Sequence, residues 1–111
     1  MSDLTQKKCV PCEGGVPALS AKELQHYMQQ LHKGWAANAE NTEIRRAFDF
    51  KDFYRTMSFV NAVAHIANRE DHHPDLEVGY NYCRIRYSTH AIKGLSENDF
   101  ICAAKIDALA T

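Results

Sequence analysis

The hydrophobic pattern of this chain changes period twice, and that change limits what it can fold into. From Phe53 onward the apolar residues Phe53, Met57, Val60 and Ala64 recur at the spacing of one helical face. No Gly or Pro interrupts the run until Pro74, which pushes the residue before it out of the α region. A helix is predicted over about 51–71. On both sides of it the period falls to two. Ile44, Phe48 and Phe50 share one parity, and Glu43, Arg45 and Asp49 share the other. This predicts a half-buried strand over 42–50, paired with 35–39 through a turn near Asn38–Asn41. After Pro74, Leu76, Val78 and Tyr80 alternate with Glu77 and Gly79, and Cys83, Ile85 and Tyr87 alternate with Arg84 and Arg86. These read as a second hairpin turning near 79–82.

Two further helices complete the pattern. Ser20 and Glu23 form a capping box ahead of Leu24, Tyr27, Met28 and Leu31, and Gly34 stops the run, giving a helix over about 20–32. Ser96 and Asp99 repeat the box before a helix over about 100–109. The apolar residues of that last helix lie nearly all round it, so it needs cover on more than one side. In so small a chain, a second subunit is the expected cover, giving a homodimer or homotetramer through this helix. The order α-β-β-α-β-β-α predicts an α+β fold, with a four-stranded antiparallel sheet carrying three helices on one face.

The 111 residues support one domain, placed at 19–111. Residues 1–18, with Pro11, Gly14, Gly15 and Pro17 and no apolar period, read as a flexible arm. A net charge of −1 excludes a strong general polyanion binder, so no direct nucleic-acid partner is expected. No stretch approaches the roughly 20 apolar residues that span a bilayer, and residues 1–8 lack a signal-peptide core. The expected location is cytoplasmic, away from membranes. Cys9, Cys12, Cys83 and Cys102 then read as free thiols, with Cys83 and Cys102 in the core.

Six histidines are a rich supply of groups that titrate near neutral pH, and topology alone gathers three of them. His72 and His73 stand where the long helix ends. Facing residues of an antiparallel hairpin have a constant index sum, so a turn centred on residue 81 returns His90 to the same edge. The short loop after His90 brings Asp99 within reach. The negative end of the helix, with Glu70, Asp71 and Asp75, favours charged imidazoles and hence a general acid. Simpler readings stand beside this one. A histidine pair at a helix end can be a solvated terminus, and Asp99 can be a cap alone. His26, His32 and His65 read as surface or packing residues. A metal site is the chemical rival, with His72, His73, His90 and Asp99 as ligands. Adjacent imidazoles diverge, however, and Cys9-x-x-Cys12 is only half a zinc knuckle.

The sequence resembles a known family at several points. These are Glu70-Asp71-His72-His73-Pro74, Tyr80-Asn81, Ser88-Thr89-His90 and Gly94-Leu95-Ser96-Glu97-x-Asp99, with Gly34-Trp35 and Phe48-x-Phe50-Lys51-Asp52-Phe53 upstream. In this order and spacing they resemble the pterin-4a-carbinolamine dehydratases over about 20–108. The segment from Lys8 to Gly15 is similar to a leader of some bacterial members. The resemblance implies dehydration of 4a-hydroxytetrahydrobiopterin to quinonoid dihydrobiopterin, recycling the pterin of aromatic amino-acid hydroxylation. It implies no metal or other cofactor, a dimer or tetramer, and phenylalanine hydroxylase as a functional partner. It also implies a second role for such a chain, as a module that stabilises a partner's oligomer, like a transcriptional coactivator. Carried onto this sequence, the catalytic set is His72, His73, His90 and Asp99. Glu70, Asp71, His73, Ser88 and Thr89 are the substrate-binding set. Asn68 departs from the family, in which many relatives carry a charged residue at that position.

Overall fold

The structure is a computed structural model, and it describes residues 4–10 and 18–110. Three helices and four strands follow the predicted order. Helix α1 spans Ala21–Met28, α2 spans Phe53–Glu70 and α3 spans Glu97–Leu109. The strands are β1 (Ala36–Ala37), β2 (Ile44–Asp49), β3 (Asp75–Val78) and β4 (Tyr82–Tyr87). They form one antiparallel sheet in the order β1-β2-β4-β3. Ile44, Phe48, Cys83, Ile85 and Tyr87 point to one face and are buried, whereas Arg45, Ala47, Asp49, Arg84 and Arg86 face outward. The helices cover the first face, as the α+β reading requires.

The second hairpin differs from its expected register by one position. Asp75 lies opposite Arg86, and Val78 opposite Cys83. The Gly79 N–H donates to the Tyr82 carbonyl at 3.0 Å, so the loop holds two residues, Tyr80 and Asn81, and its centre falls between them. The Tyr82 ring packs over Gly79, where an added Cβ would stand 2.1 Å from it and force the ring to move. Strand β4 also stops earlier than expected. Tyr87 would face Pro74, which has no N–H for the ladder. His90 therefore opens a short 3-10 turn, His90–Ile92, and does not extend the strand. A bridge between Thr89 and Gly94 closes the loop, with Lys93 in the left-handed region.

Helix α2 buries a different stripe from the one its periodicity suggested. Thr56, Phe59, Val63 and Ala67 face the core, and Phe53 is half exposed. The Thr56 hydroxyl is satisfied by the carbonyls of Asp52 and Tyr80, which lets a threonine turn inward. Phe59 packs on the rings of Phe48 and Phe50.

Two expectations about the ends of the chain need correction. Within residues 4–10 of the supposed flexible arm, Leu4 is buried and Cys9 half-buried, while Gln6, Lys7, Lys8 and Val10 are exposed. Leu4–Gln6 form a 3-10 turn against α3, with Leu4 only 1 % exposed. The rest of the arm reading, including Cys12, lies outside the described residues. Helix α3 is buried from Asn98 to Ala104 and again at Ile106 within a single chain. The arm, α1, α2 and the sheet cover its apolar ring, so that ring gives no reason for a second subunit. Near its C-terminus, Asp107 accepts from Trp35 Nε1 at 2.8 Å and pairs with Arg46 at 2.5 Å, tying α3 to the first hairpin. Among the described residues, no helix is long and apolar enough to cross a membrane.

Candidate active site

The site begins where α2 ends. Asp71 takes the left-handed conformation, φ 51° and ψ 44°, which aspartate tolerates better than most residues. The Asp71 and His72 N–H groups both donate to the Ala67 carbonyl, capping the helix. This cap separates the two histidines. The His72 ring turns inward to Asp99, with Nε2 2.6 Å from Oδ1, and stacks on Tyr87 at 5.5 Å between centroids and 6° between planes. The exposed His73 ring turns outward, with Nε2 3.2 Å from the Asn68 amide oxygen. The divergence expected of adjacent imidazoles is thus set by the left-handed cap at Asp71.

Asp99 does two jobs. It is fully buried. Oδ2 accepts from the Ser96 N–H at 2.9 Å, as a helix cap should, and from the Thr89 hydroxyl at 2.8 Å. Oδ1 is left for His72. The cap on α3 and the bond to His72 are therefore carried by the two oxygens of one carboxylate. Burial opposes a charge on His72, but the hydrogen bond and negative charge of Asp99 outweigh it and raise the histidine above its ordinary range.

An open cleft of about 610 Å³ joins these residues to the rest of the predicted set. His72, His73 and His90 line it, together with Glu70, Asp71, Ser88 and Thr89. Asp99 lies beneath the surface, behind His72. Hairpin geometry thus placed the three histidines at one rim despite the register error. Two members of the binding set are already engaged inside the protein. Glu70 accepts from the Cys9 N–H at 2.8 Å and faces Lys105 at 3.5 Å. Burial works against its charge, but these partners prevail and hold it below the usual carboxylate range. The Thr89 hydroxyl is shared between Asp99 and Ser96. Among the described residues, the Ser88 and Asp71 side chains have no such hydrogen bonds.

The cleft also has a wall that the sequence reading missed. Cys9 and Val10 line it, and Asn98 clamps Val10 from both sides, accepting its N–H at 3.1 Å and donating to its carbonyl at 2.6 Å. No periodicity marks a segment of this kind. The signal available was Asn98, an amide that the packing of α3 buries. Among the described residues, no cluster of three or more His, Cys, Asp or Glu side chains is arranged to hold a metal ion.

The chain is similar in sequence and in fold to known proteins. A family model described as pterin 4 alpha carbinolamine dehydratase matches residues 17–109. A Nitrosomonas europaea protein, provisionally named a pterin-4-alpha-carbinolamine dehydratase, is 60 % identical over 107 residues, covering 96 % of this chain and 93 % of its own. A similarly named Legionella pneumophila protein is 57 % identical over 108 residues, covering 97 % and 96 %. Among solved structures, a transcriptional coactivator/pterin dehydratase from Brucella melitensis superposes with a TM-score of 0.79 at 32 % identity, over 85 % of this chain and 99 % of that one. A pterin dehydratase-like protein identified as a RuBisCO assembly factor in the alpha-carboxysome superposes with a TM-score of 0.62 at 25 % identity, over 71 % and 92 %. By its sequence match and its fold, the chain belongs to the pterin 4 alpha carbinolamine dehydratase family.

Proposed function

We propose that this protein is a hydro-lyase that dehydrates 4a-hydroxytetrahydrobiopterin to quinonoid dihydrobiopterin by histidine acid–base catalysis. The observation that carries the reading is the buried Asp99–His72 pair opening onto a cleft rimmed by His73 and His90. Fold alone would not carry it, because a RuBisCO assembly factor has a similar fold. The reaction needs two proton movements. An acid must protonate the 4a-hydroxyl so that it leaves as water, and a base must take the N5 proton so that the N5–C4a double bond forms.

His72 suits the acid role. Its Nε2 is committed to Asp99, which leaves Nδ1 for a ligand. The raised proton affinity keeps the ring charged further into the neutral range than an ordinary histidine. His90, across the cleft on the 3-10 turn, is then the base. His73 holds the pterin from the open side. The Asn68 amide oxygen is its partner, a neutral acceptor in place of the charge many relatives carry there, and it favours a proton on His73 Nε2. Asp71 and Ser88 are free to contact the ring, while Glu70 and Thr89 shape the cleft from behind. The pterin is the substrate, and the chemistry calls on no metal or second cofactor.

Recycling of the pterin for phenylalanine hydroxylation and self-association as a dimer or tetramer belong to the same proposal. The burial of α3 within its own chain leaves its apolar ring no argument for which surface self-associates. The test is stopped-flow loss of enzymatically generated 4a-carbinolamine with and without the protein. Faster loss that is abolished by joint replacement of His72 and His90 supports the reading. Loss at the uncatalysed rate overturns it.

A further inference from the structure

Cys9 and Cys102 were read from the sequence as a tail residue and an isolated core thiol, yet their sulfurs lie 3.6 Å apart. Both are reduced. Cys9 is half buried and lines the cleft, whereas Cys102 is fully buried on α3, one turn beyond Asp99. Three further features set this pair apart from a chance contact. The Cys9 backbone is held in place by Glu70 and Val10 by Asn98, so the arm presents its sulfur to α3 from a fixed position. The Tyr87 hydroxyl is fully buried with no hydrogen-bond partner of good geometry, and it interacts with the Cys102 sulfur. The Cys102 sulfur also lies 4.0 Å from the His72 carbonyl, at the base of the Asp99–His72 pair.

We propose that Cys9 and Cys102 form a redox-active dithiol, an oxidation site that ties the N-terminal arm to α3 at the wall of the cleft. A low-molecular-weight disulfide such as oxidised glutathione is the oxidant. The reachable sulfur, Cys9, attacks it and releases one thiol, leaving a mixed disulfide at Cys9. Cys102 then attacks the Cys9 sulfur and releases the second thiol. The two cysteine protons end on the two released thiols, and the oxidant takes up both electrons. The hydrogen bond to Cys102 and burial raise Cys9 above the ordinary thiol range, while that same hydrogen bond, against the cost of burial and with the His72 charge and the Tyr87 hydroxyl, lowers Cys102, so the first attack needs the Cys9 sulfur to leave its contact with Cys102. Bond formation needs the sulfurs to close to about 2 Å, a movement the arm can make more easily than the buried helix. The inference does not depend on what the cleft binds.

The experiment uses the full chain carrying Cys12→Ser, so that the neighbouring thiol cannot compete, equilibrated in glutathione buffers of increasing oxidation. The expected product, by mass of the denatured chain, is a single chain lighter by two hydrogens, with a peptide map linking Cys9 to Cys102 and Cys83 still alkylatable. Amide exchange at residues 7–10 slows on oxidation, and the thermal midpoint rises. Cys102→Ser, expected to fold because the hydroxyl keeps a polar partner for Tyr87, should instead stop at a glutathione adduct on Cys9. The proposal is overturned if the parent stops at that adduct, if Cys9 stays reduced in buffers that oxidise a free cysteine, or if the linked pair includes Cys83.

Discussion

Two histidines adjacent in sequence meet opposite environments in this protein. His72 is stacked on Tyr87 and bonded to a fully buried carboxylate, and little of its side chain reaches solvent. Its neighbour His73 is exposed, and among the described residues its ring meets the Asn68 amide. The left-handed Asp71 makes the difference, because the helix cap sends one ring into the protein and leaves the other at the rim. Residue type therefore does not set the role. The Asp99 carboxylate raises the proton affinity of the inward ring against the cost of burial.

The largest effect that would break this comparison concerns turnover. Joint replacement of His72 and His90 by Gln should slow carbinolamine loss by roughly 10²–10⁴-fold, the usual worth of positioned acid–base groups. Far-UV circular dichroism should show the fold retained. An equal loss from His73→Gln alone would erase the distinction between the two rings. Next in size is stability. Asp99→Ala leaves His72 without its buried partner and removes the cap on α3, and should cost about 3 kcal/mol in urea unfolding. His73→Ala should stay within about 0.5 kcal/mol, as surface changes do, and reveal itself as a rise in KM of a few fold.

A smaller effect sharpens the comparison through pH. Folded His72 holds its proton more tightly than the unfolded chain, whose histidines titrate near about 6.5. Its stabilising contribution is then complete below about pH 6.5 and is lost as pH rises through the higher folded value. The unfolding free-energy difference between the parent and His72→Gln should accordingly be greatest in mild acid and shrink above neutrality. A difference that is flat with pH would remove the electrostatic role given to Asp99. The smallest effect is expected at Asn68→Asp. A negative charge beside His73 should raise that ring's titration midpoint, read by NMR, with little change at His72.

The sequence was most legible where period and turn chemistry agreed. The two hairpins, the α2 run and the capping box at Ser96 all follow from spacing, and together they gathered the three histidines. What was hidden depended on conformations that periodicity does not encode. The left-handed cap at Asp71 decides which ring faces inward, yet nothing in the local pattern sets it apart from an ordinary helix end. The register of the second hairpin turned on whether its loop held two residues or three. Leu4, Cys9 and Val10 carry no period at all, and their docking shows only from the partners that receive them, α3 and Asn98. The apolar ring of α3 was correctly read as needing cover on several sides. The cover comes from the arm and from α1, α2 and the sheet.

The charged buried pair is tested most directly by following the His72 ring nitrogens by NMR across pH, in the parent and in Asp99→Asn. The account predicts a midpoint above the ordinary histidine value in the parent, a marked fall in the variant, and no comparable change at His73. A parent midpoint at or below the ordinary value, unmoved by the substitution, would contradict it.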